Sequence, residues 1–419
     1  MADESLLSDD LLRQLVALGH VDVLVGIPTL NNATTVVDVV RAAQAGLGKY
    51  FPRARSVIFN ADSGSDDGTP VLVRDATTDD TGTVTASRPL RTTQRITTPY
   101  HGLPGKGSAM RMIFAVADLL SADAIVALDP DVTSVTPEWI SALVRPVREG
   151  QADLVAPLYS RAAVDGPLVT QLVRPLVRAA YGWRVQEPLM GEFGCSRRFV
   201  AHCLERSWGT GVIPDGVDLW MSGEALANGF RPGQAALGPR LLAHARKPPG
   251  LPDVFQQVMD AVCSCLELHA GYWLSRGPAE PVPCYGTLPG AVELGPRPDV
   301  TRMAESFARD VSALNPVLAT ILSAPTLAGV TAAAATRPLV YPDELWAATV
   351  FEFLLAYHRA VMTREHVTQT LLPLYLGRTA SFLLQHGSSG PAVVHDALES
   401  LGLAFEQAKP QAAAQWKKA

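Results

Sequence analysis

Asp129-Pro130-Asp131 puts two carboxylates two positions apart, directly after the apolar run Ala124-Ile-Val-Ala-Leu128. Two carboxylates so placed repel each other unless a cation or solvent neutralises them. A hard divalent ion, Mg²⁺ or Mn²⁺, prefers such oxygen ligands and bridges phosphate oxygens, steadying charge that develops on a departing diphosphate. Alone, the pattern is weak and fits a solvated turn better. Pro104-Gly-Lys-Gly107 immediately precedes a helical stretch. Amides at a helix N-terminus attract phosphate and Lys106 would add a point charge, whereas the plainer reading is a loop with a solvated lysine. Asp62-Ser-Gly-Ser-Asp-Asp-Gly-Thr69 offers short carboxylates and hydroxyls to a base and ribose, and also simply makes a good turn.

The elements around these residues give them a common address. Residues 21–28 form a short β-branched run ended by proline, which reads as a buried parallel strand. Ser56 to Asn60 reads as a second strand and Ala124 to Leu128 as a further one. Between them Thr34 to Leu47 and Gly107 to Leu120 carry helical spacing. Alternating strands and helices predict a doubly wound α/β sheet, whose ligands sit beyond the carboxyl ends of the strands. The loops at 28–32, 60–69 and 129–131 all fall at such ends. Further on, Pro248-Pro-Gly-Leu-Pro252 punctuates the chain. Asp253 to Leu274 then predicts an amphipathic helix capped by the aspartate. A Pro/Gly-rich connector covers 277–298, and helices are expected near 300–323, 342–360 and 364–385. The expected organisation is an N-terminal extension over 1–19, a nucleotide-sugar and acceptor-binding domain over 20–247, a mostly helical part over 248–410 and a frayed tail over 411–419.

With 419 residues, 47% hydrophobic and 18% charged, the chain has an ordinary globular balance. Its formal net charge of −6 comes without a basic stripe, which argues against nucleic-acid binding. No apolar run reaches about eighteen residues, so no membrane span is expected. The acidic start, Met1-Ala-Asp-Glu-Ser, lacks a signal-peptide pattern, and a cytoplasmic location is expected. Cys263-Ser-Cys265 lies within an apolar-periodic helix with no second pair nearby, so buried free thiols are expected in place of a metal site. Leu345, Trp346, Phe353, Leu354 and Tyr357 make an apolar stripe that suits either a homodimer interface or intrachain core.

Taken in order, Pro28-Thr-Leu30-Asn-Asn32, Asp62-Ser-Gly-Ser65, Pro104-Gly-Lys-Gly107 and Asp129-Pro-Asp131 resemble the donor-site series of the glucosyl-3-phosphoglycerate synthases. The resemblance continues through Thr170-Gln-Leu-Val-Arg-Pro175, Glu187-Pro-Leu-Met-Gly-Glu192 and Ala243-His-Ala-Arg-Lys-Pro248. Asp343-Glu-Leu-Trp-Ala-Ala348, Leu371 to Leu383 and Arg161-Ala-Ala-Val-Asp165 are similar to bacterial mannosylglycerate synthase. What the resemblance implies is a GT-A glycosyltransferase, with a Rossmann-like donor domain and a mostly helical C-terminal part. On that footing Pro28, Leu30, Asn32, Asp62 and Ser63 line the nucleotide. Lys106 approaches the base or diphosphate, Asp129 serves the sugar or ribose, and Asp131 with His244 holds Mg²⁺ or Mn²⁺. Arg161, Asp165, Thr170, Gly191 and Arg246 fall on the acceptor side. Asp131, Asp218 and Lys106 are the expected catalytic residues. The simpler alternatives are an ordinary polar histidine, a surface ion pair between Arg161 and Asp165, and a helix N-terminal carboxylate at Asp218.

Three departures bear on the acceptor and donor. Where the phosphoglycerate enzymes carry Arg-x-Thr, this chain has Leu168-Val-Thr170, which removes a phosphate partner. Asn31-Asn32 stands in place of Asn-Glu, and Met190 replaces the first glycine of a Gly-Gly pair. The implied reaction is retaining transfer of a hexose from UDP-glucose or GDP-mannose to the 2-hydroxyl of D-glycerate, giving glucosylglycerate or mannosylglycerate. The alternatives are a synthase using 3-phosphoglycerate and an inverting family 2-type transferase acting on a polysaccharide or lipid.

Overall fold

A computed structural model describes residues 9–76, 94–99, 106–208, 216–243, 250–289 and 298–418. The chain divides into two compact units, and both are discontinuous in sequence. The first comprises residues 1–159, 190–248 and 283–288, and the second 160–189, 249–282 and 289–419.

The first unit is built on an eight-stranded mixed sheet. Its strands are β1 (Val23–Thr29), β2 (Ser56–Asp62), β3 (Gln94–Pro99), β4 (Ala124–Ala127), β5 (Leu154–Tyr159), β6 (Phe193–Ser196), β7 (Pro232–Gly238) and β8 (Cys284–Tyr285). They run in the order β3-β2-β1-β4-β6-β5-β7-β8. The α/β class expected from strand–helix alternation is observed, with β6 the one strand of the sheet antiparallel to its neighbours β4 and β5. Every residue of β1, β2 and β4 is buried, because helices cover both faces of the sheet. The helices of this unit are α1 (Asp9–Leu18), α2 (Val36–Tyr50), α3 (Thr69–Asp75), α4 (Lys106–Leu119), α5 (Pro137–Arg148), α7 (Arg197–Glu205) and α8 (Val217–Ala227).

On one face, Val36, Val39, Val40, Ala43 and Leu47 of α2 and Ile140, Leu143, Val144 and Val147 of α5 join a core with Val23, Val25 and Ile27 of β1. Their helical spacing presents one apolar stripe to the sheet. On the other face α4 approaches so closely that Ile113 fills the space a Cβ at Gly26 would need. The order of the sheet reverses between β1 and β4, whose neighbours β2 and β3 lie on the far side of β1. At such a switch point the loops diverge and leave a crevice beyond the carboxyl ends.

The second unit is helical. It contains a π-helical turn at Val169–Val173 leading into α6 (Arg174–Tyr181), then α9 (Leu251–Leu268), α10 (Ala270–Trp273), α11 (Val300–Ile321), α12 (Ala324–Ala335), α13 (Asp343–His358), α14 (Arg364–His386) and α15 (Pro391–Trp416). Residues 160–189, placed with the first domain by sequence, cluster here because α6 packs along α15. Arg178, 3% exposed, bonds Glu399 at 2.7 Å and Glu406 at 2.6 Å across that contact. The two carboxylates meet its Nε and Nη1 and offset the cost of burying the charge, while Nη2 is buried without a hydrogen-bond partner among the described residues.

Two expectations need correction. Asp253 does not cap its helix: α9 starts at Leu251 after Gly250, with Pro252 in its first turn and Asp253 inside it. The segment 411–419 is not a frayed tail, since α15 continues to Trp416. Trp416 is buried, stacked on His358 at 3.9 Å and edge-on to Trp273 at 5.2 Å, and that contact holds the last turns. The stripe on α13 is core, with Trp346, Phe353, Leu354 and Tyr357 all buried. Cys263 and Cys265 are buried free thiols in α9, as expected. No helix among the described residues is long and apolar enough to cross a membrane.

Candidate active site

The carboxyl ends of β1, β2, β4 and β7 and the amino end of antiparallel β6 share one edge of the sheet. The chemistry-bearing residues of the first unit collect at that edge.

The loop after β1 is locked to the loop after β2. Asn31, with φ of 59°, donates its amide to Ser65 Oγ at 2.7 Å and accepts the Asp66 amide at 2.8 Å. Left-handed backbone is uncommon outside glycine, and asparagine is among the residues that tolerate it. Asp62 is 1% exposed, and its carboxylate accepts Thr29 Oγ1 at 2.8 Å, Ser65 Oγ at 2.5 Å and the amides of Gly64 and Ser65. A carboxylate offers about four acceptor positions, so these bonds occupy it. Asp62 builds the loop. Ser63, whose amide bonds the Thr29 carbonyl at 2.8 Å, lies on that loop, while Pro28 and Leu30 sit at the end of β1.

Asn32 reaches the other way. Its Nδ2 donates to Asp131 Oδ1 at 2.6 Å, and Thr35 Oγ1 reaches the same oxygen at 3.3 Å. Asp131 Oδ2 makes no hydrogen bond among the described residues. Asp129 is held differently. Its Oδ1 accepts the Asp131 amide and its Oδ2 accepts Arg240 Nη2, each at 2.9 Å.

Arg240 lies two residues beyond β7. Glu192, wholly buried, takes its Nε and Nη2 at 3.2–3.3 Å and also accepts the Tyr159 hydroxyl. Burial works against the Arg240 charge, but Glu192, Tyr159 and Asp129 outweigh it and hold its pKa above the ordinary value. The guanidinium occupies the space that a Cβ on Gly191 would need.

Lys106, the first residue of α4, and Asp218, in the first turn of α8, form an ion pair at 2.5 Å. Burial disfavours the lysine charge, yet Asp218 and Asp129 together keep its pKa raised. Burial also pushes the Asp218 carboxyl up, against the pull of Lys106. Asp218 Oδ1 is buried without a hydrogen-bond partner among the described residues. An unmet carboxylate oxygen in a polar crevice is a ready acceptor for a ligand hydroxyl.

Two cations, Lys106 and Arg240, thus stand among four carboxylates, Asp129, Asp131, Asp218 and Glu192. With all ionised, the cluster carries a formal excess of two negative charges. That excess, with Asp131 Oδ2 available, fits one divalent ion.

The structure brings Pro28, Leu30, Asn32, Asp62, Ser63, Lys106, Asp129, Asp131, Gly191 and Asp218 into the first unit. Arg161, Asp165 and Thr170 belong to the second. There Arg161 pairs with buried Glu187 through two bonds, at 2.5 and 2.9 Å. Asp165 accepts the Ala162 amide at 2.9 Å, and Thr170 is buried in the π-helical turn. His244 and Arg246 lie outside the described residues. Among the described residues, 241–243 pair by backbone with 131–133, and Ala243 directly precedes His244 in sequence. Sequence reasoning passed over Arg240, Thr35 and the role of Glu192. A charged residue just past a strand end, in Gly238-Pro-Arg240, was the available signal.

No protein-family model matches this chain, and no curated protein does. Among solved structures it is similar to glucosyl-3-phosphoglycerate synthase from Mycobacterium tuberculosis in complex with Mn²⁺, UDP-glucose and phosphoglyceric acid. That likeness has 22% identity and a TM-score of 0.44, over 63% of this chain and 84% of the other. The same enzyme with Mg²⁺ and UDP aligns at 22% identity and a TM-score of 0.44, over 62% and 83% of the two chains. Its complex with Mn²⁺, UDP-glucose and glycerol 3-phosphate aligns at 21% and 0.43, over 63% and 85%.

Proposed function

We propose that this chain is a metal-dependent GT-A glycosyltransferase that moves a hexose from UDP-glucose or GDP-mannose to the 2-hydroxyl of D-glycerate with retention of configuration. The observation that carries the reading is the doubly negative cluster of Asp129, Asp131, Asp218, Glu192, Lys106 and Arg240 at the switch point of the sheet. A crevice of that kind suits a nucleotide diphosphate once a cation is present. Asp131, with His244, would hold Mg²⁺ or Mn²⁺, which when bound supplies charge neutralisation to the leaving diphosphate.

The remaining work falls to the protein's own groups. The 28–32 and 62–65 loops, tied together through Asn31 and Asp62, form the wall against which a base and ribose would lie. Asp218 Oδ1 accepts a sugar hydroxyl, and Lys106 balances that carboxylate beside the diphosphate. In the transfer the bond from the anomeric carbon to the diphosphate oxygen breaks and a bond to the glycerate 2-oxygen forms on the same face. The acceptor proton passes to the departing diphosphate. The rate enhancement then comes from positioning and fixed electrostatics, with no covalent intermediate.

Glycerate is favoured over 3-phosphoglycerate by one feature. Leu168 stands where a phosphate-reading arginine is expected. An added phosphate group calls for an additional guanidinium or lysine. Purified protein incubated with each donor, D-glycerate or 3-phosphoglycerate, and Mg²⁺ or Mn²⁺ tests the reading. A glycosylglycerate with α configuration by NMR is the expected product, and no transfer with any pair would refute it.

A further inference from the structure

Asp129 and Asp131 occupy equivalent places in their motif, but their carboxylates have different neighbours. Both oxygens of Asp129 are engaged, one by the Asp131 amide and one by Arg240, whereas Asp131 keeps Oδ2 clear of any described partner. A guanidinium 2.9 Å from Asp129 Oδ2 repels a divalent ion from that carboxylate and directs it to Asp131. Arg240 itself has nowhere to go. Glu192 grips it from a fully buried position, Tyr159 braces Glu192, and Gly191 leaves room for the guanidinium plane. Two hydrogen bonds also leave about two acceptor positions on the Asp129 carboxylate for neutral hydroxyl donors.

We propose that Arg240, anchored by Glu192 and Tyr159, is a positioning residue that fixes Asp129 as a hydrogen-bond acceptor for the donor's hexose and reserves the metal for Asp131. This rests on the nucleotide-sugar reading above. It assigns a division of labour within the aspartate pair that depends on a residue about 110 positions downstream. Lysine cannot substitute, because an ammonium is a point charge and lacks the planar fork that reaches Glu192 and Asp129 together.

The test compares wild type, R240K, D129N, R240K/D129N and R240Q/E192Q, the last removing both buried charges so that neither is left unpaired. Calorimetric titrations with Mn²⁺ present measure affinity for UDP or GDP and for the matching nucleotide sugar. In R240K and R240Q/E192Q, affinity for the nucleotide sugar is expected to fall about tenfold, the loss of one charge-assisted contact, while affinity for the nucleoside diphosphate stays within about twofold. R240K is expected to add little in the D129N background, because both changes break one contact. Equal loss of affinity for diphosphate and sugar donor, or additive effects of R240K and D129N, would overturn the assignment. If wild type binds neither diphosphate, the nucleotide-sugar reading fails and this inference with it. Wild-type binding with unchanged sugar-donor affinity in both Arg240 variants overturns the inference alone.

Discussion

Asp131 enters the site already oriented, because Asn32 Nδ2 and Thr35 Oγ1 both converge on its Oδ1. Groups that orient a metal ligand without touching the metal typically change metal affinity 10–100-fold when removed. N32A is therefore expected to raise the Mn²⁺ concentration for half-maximal activity by about 10–100-fold, read from a metal titration. On the proposed reading D131N removes the metal ligand's charge, and it is expected to lower turnover by about 10²–10³ at saturating metal. At this scale strand-end spacing pointed to the aspartate pair and the start of a helix to Lys106, while Asp218 came only from the resemblance. The sequence did not carry their partners. Arg240 lies 111 positions beyond Asp129, and only the sheet order makes them neighbours. Asp62 shows what sequence does not carry: the resemblance implied a nucleobase contact, and the hydrogen bonds from Thr29, Gly64 and Ser65 by which its carboxylate also shapes the loop were not legible.

Strands and helices were legible where burial imposes a period. β1, β2, β4, α2 and α4 lie within three residues of their expected bounds at each end. Antiparallel β6, between β4 and β5, was not legible, because four residues carry no period and register depends on distant partners. One carboxylate joins several of these elements. Asp153, at the start of β5, accepts Arg231 and its amide at the start of β7, Arg198 in α7 and Ser196 at the end of β6. Burial pushes its carboxyl up, but those donors outweigh burial and hold its pKa below the ordinary 3.8. Such a carboxylate stabilises the fold at every pH above about 3.8 and loses that contribution as pH falls toward its lowered value. D153N is expected to cost about 1–3 kcal/mol at pH 7 in urea unfolding. The gap between D153N and wild type should narrow below pH 3.8. A gap unchanged into strong acid would show that the ionised carboxylate is not the stabilising species.

Over the whole molecule, an α/β unit and a helical unit interleave along the sequence. Proline-rich punctuation near 248 was visible, but residues 160–189 look like part of the sheet domain until α15 supplies the surface they pack on. The same helix explains why the C-terminal residues are ordered. W416A is expected to destabilise the helical unit by about 3–5 kcal/mol, seen as a lowered unfolding midpoint, because it empties a buried site between His358 and Trp273. On the proposed reading the doubly negative cluster makes the donor's affinity depend on a cation. Removing divalent ions with EDTA should abolish the thermal shift that UDP or GDP gives, and Mn²⁺ should restore it. The most direct measurement is the donor-by-acceptor assay with Mn²⁺, resolved by product NMR. The account predicts an α-linked hexosyl-2-O-glycerate formed from D-glycerate in preference to 3-phosphoglycerate. A β-linked product, or no transfer from either nucleotide sugar to either acceptor, would contradict it.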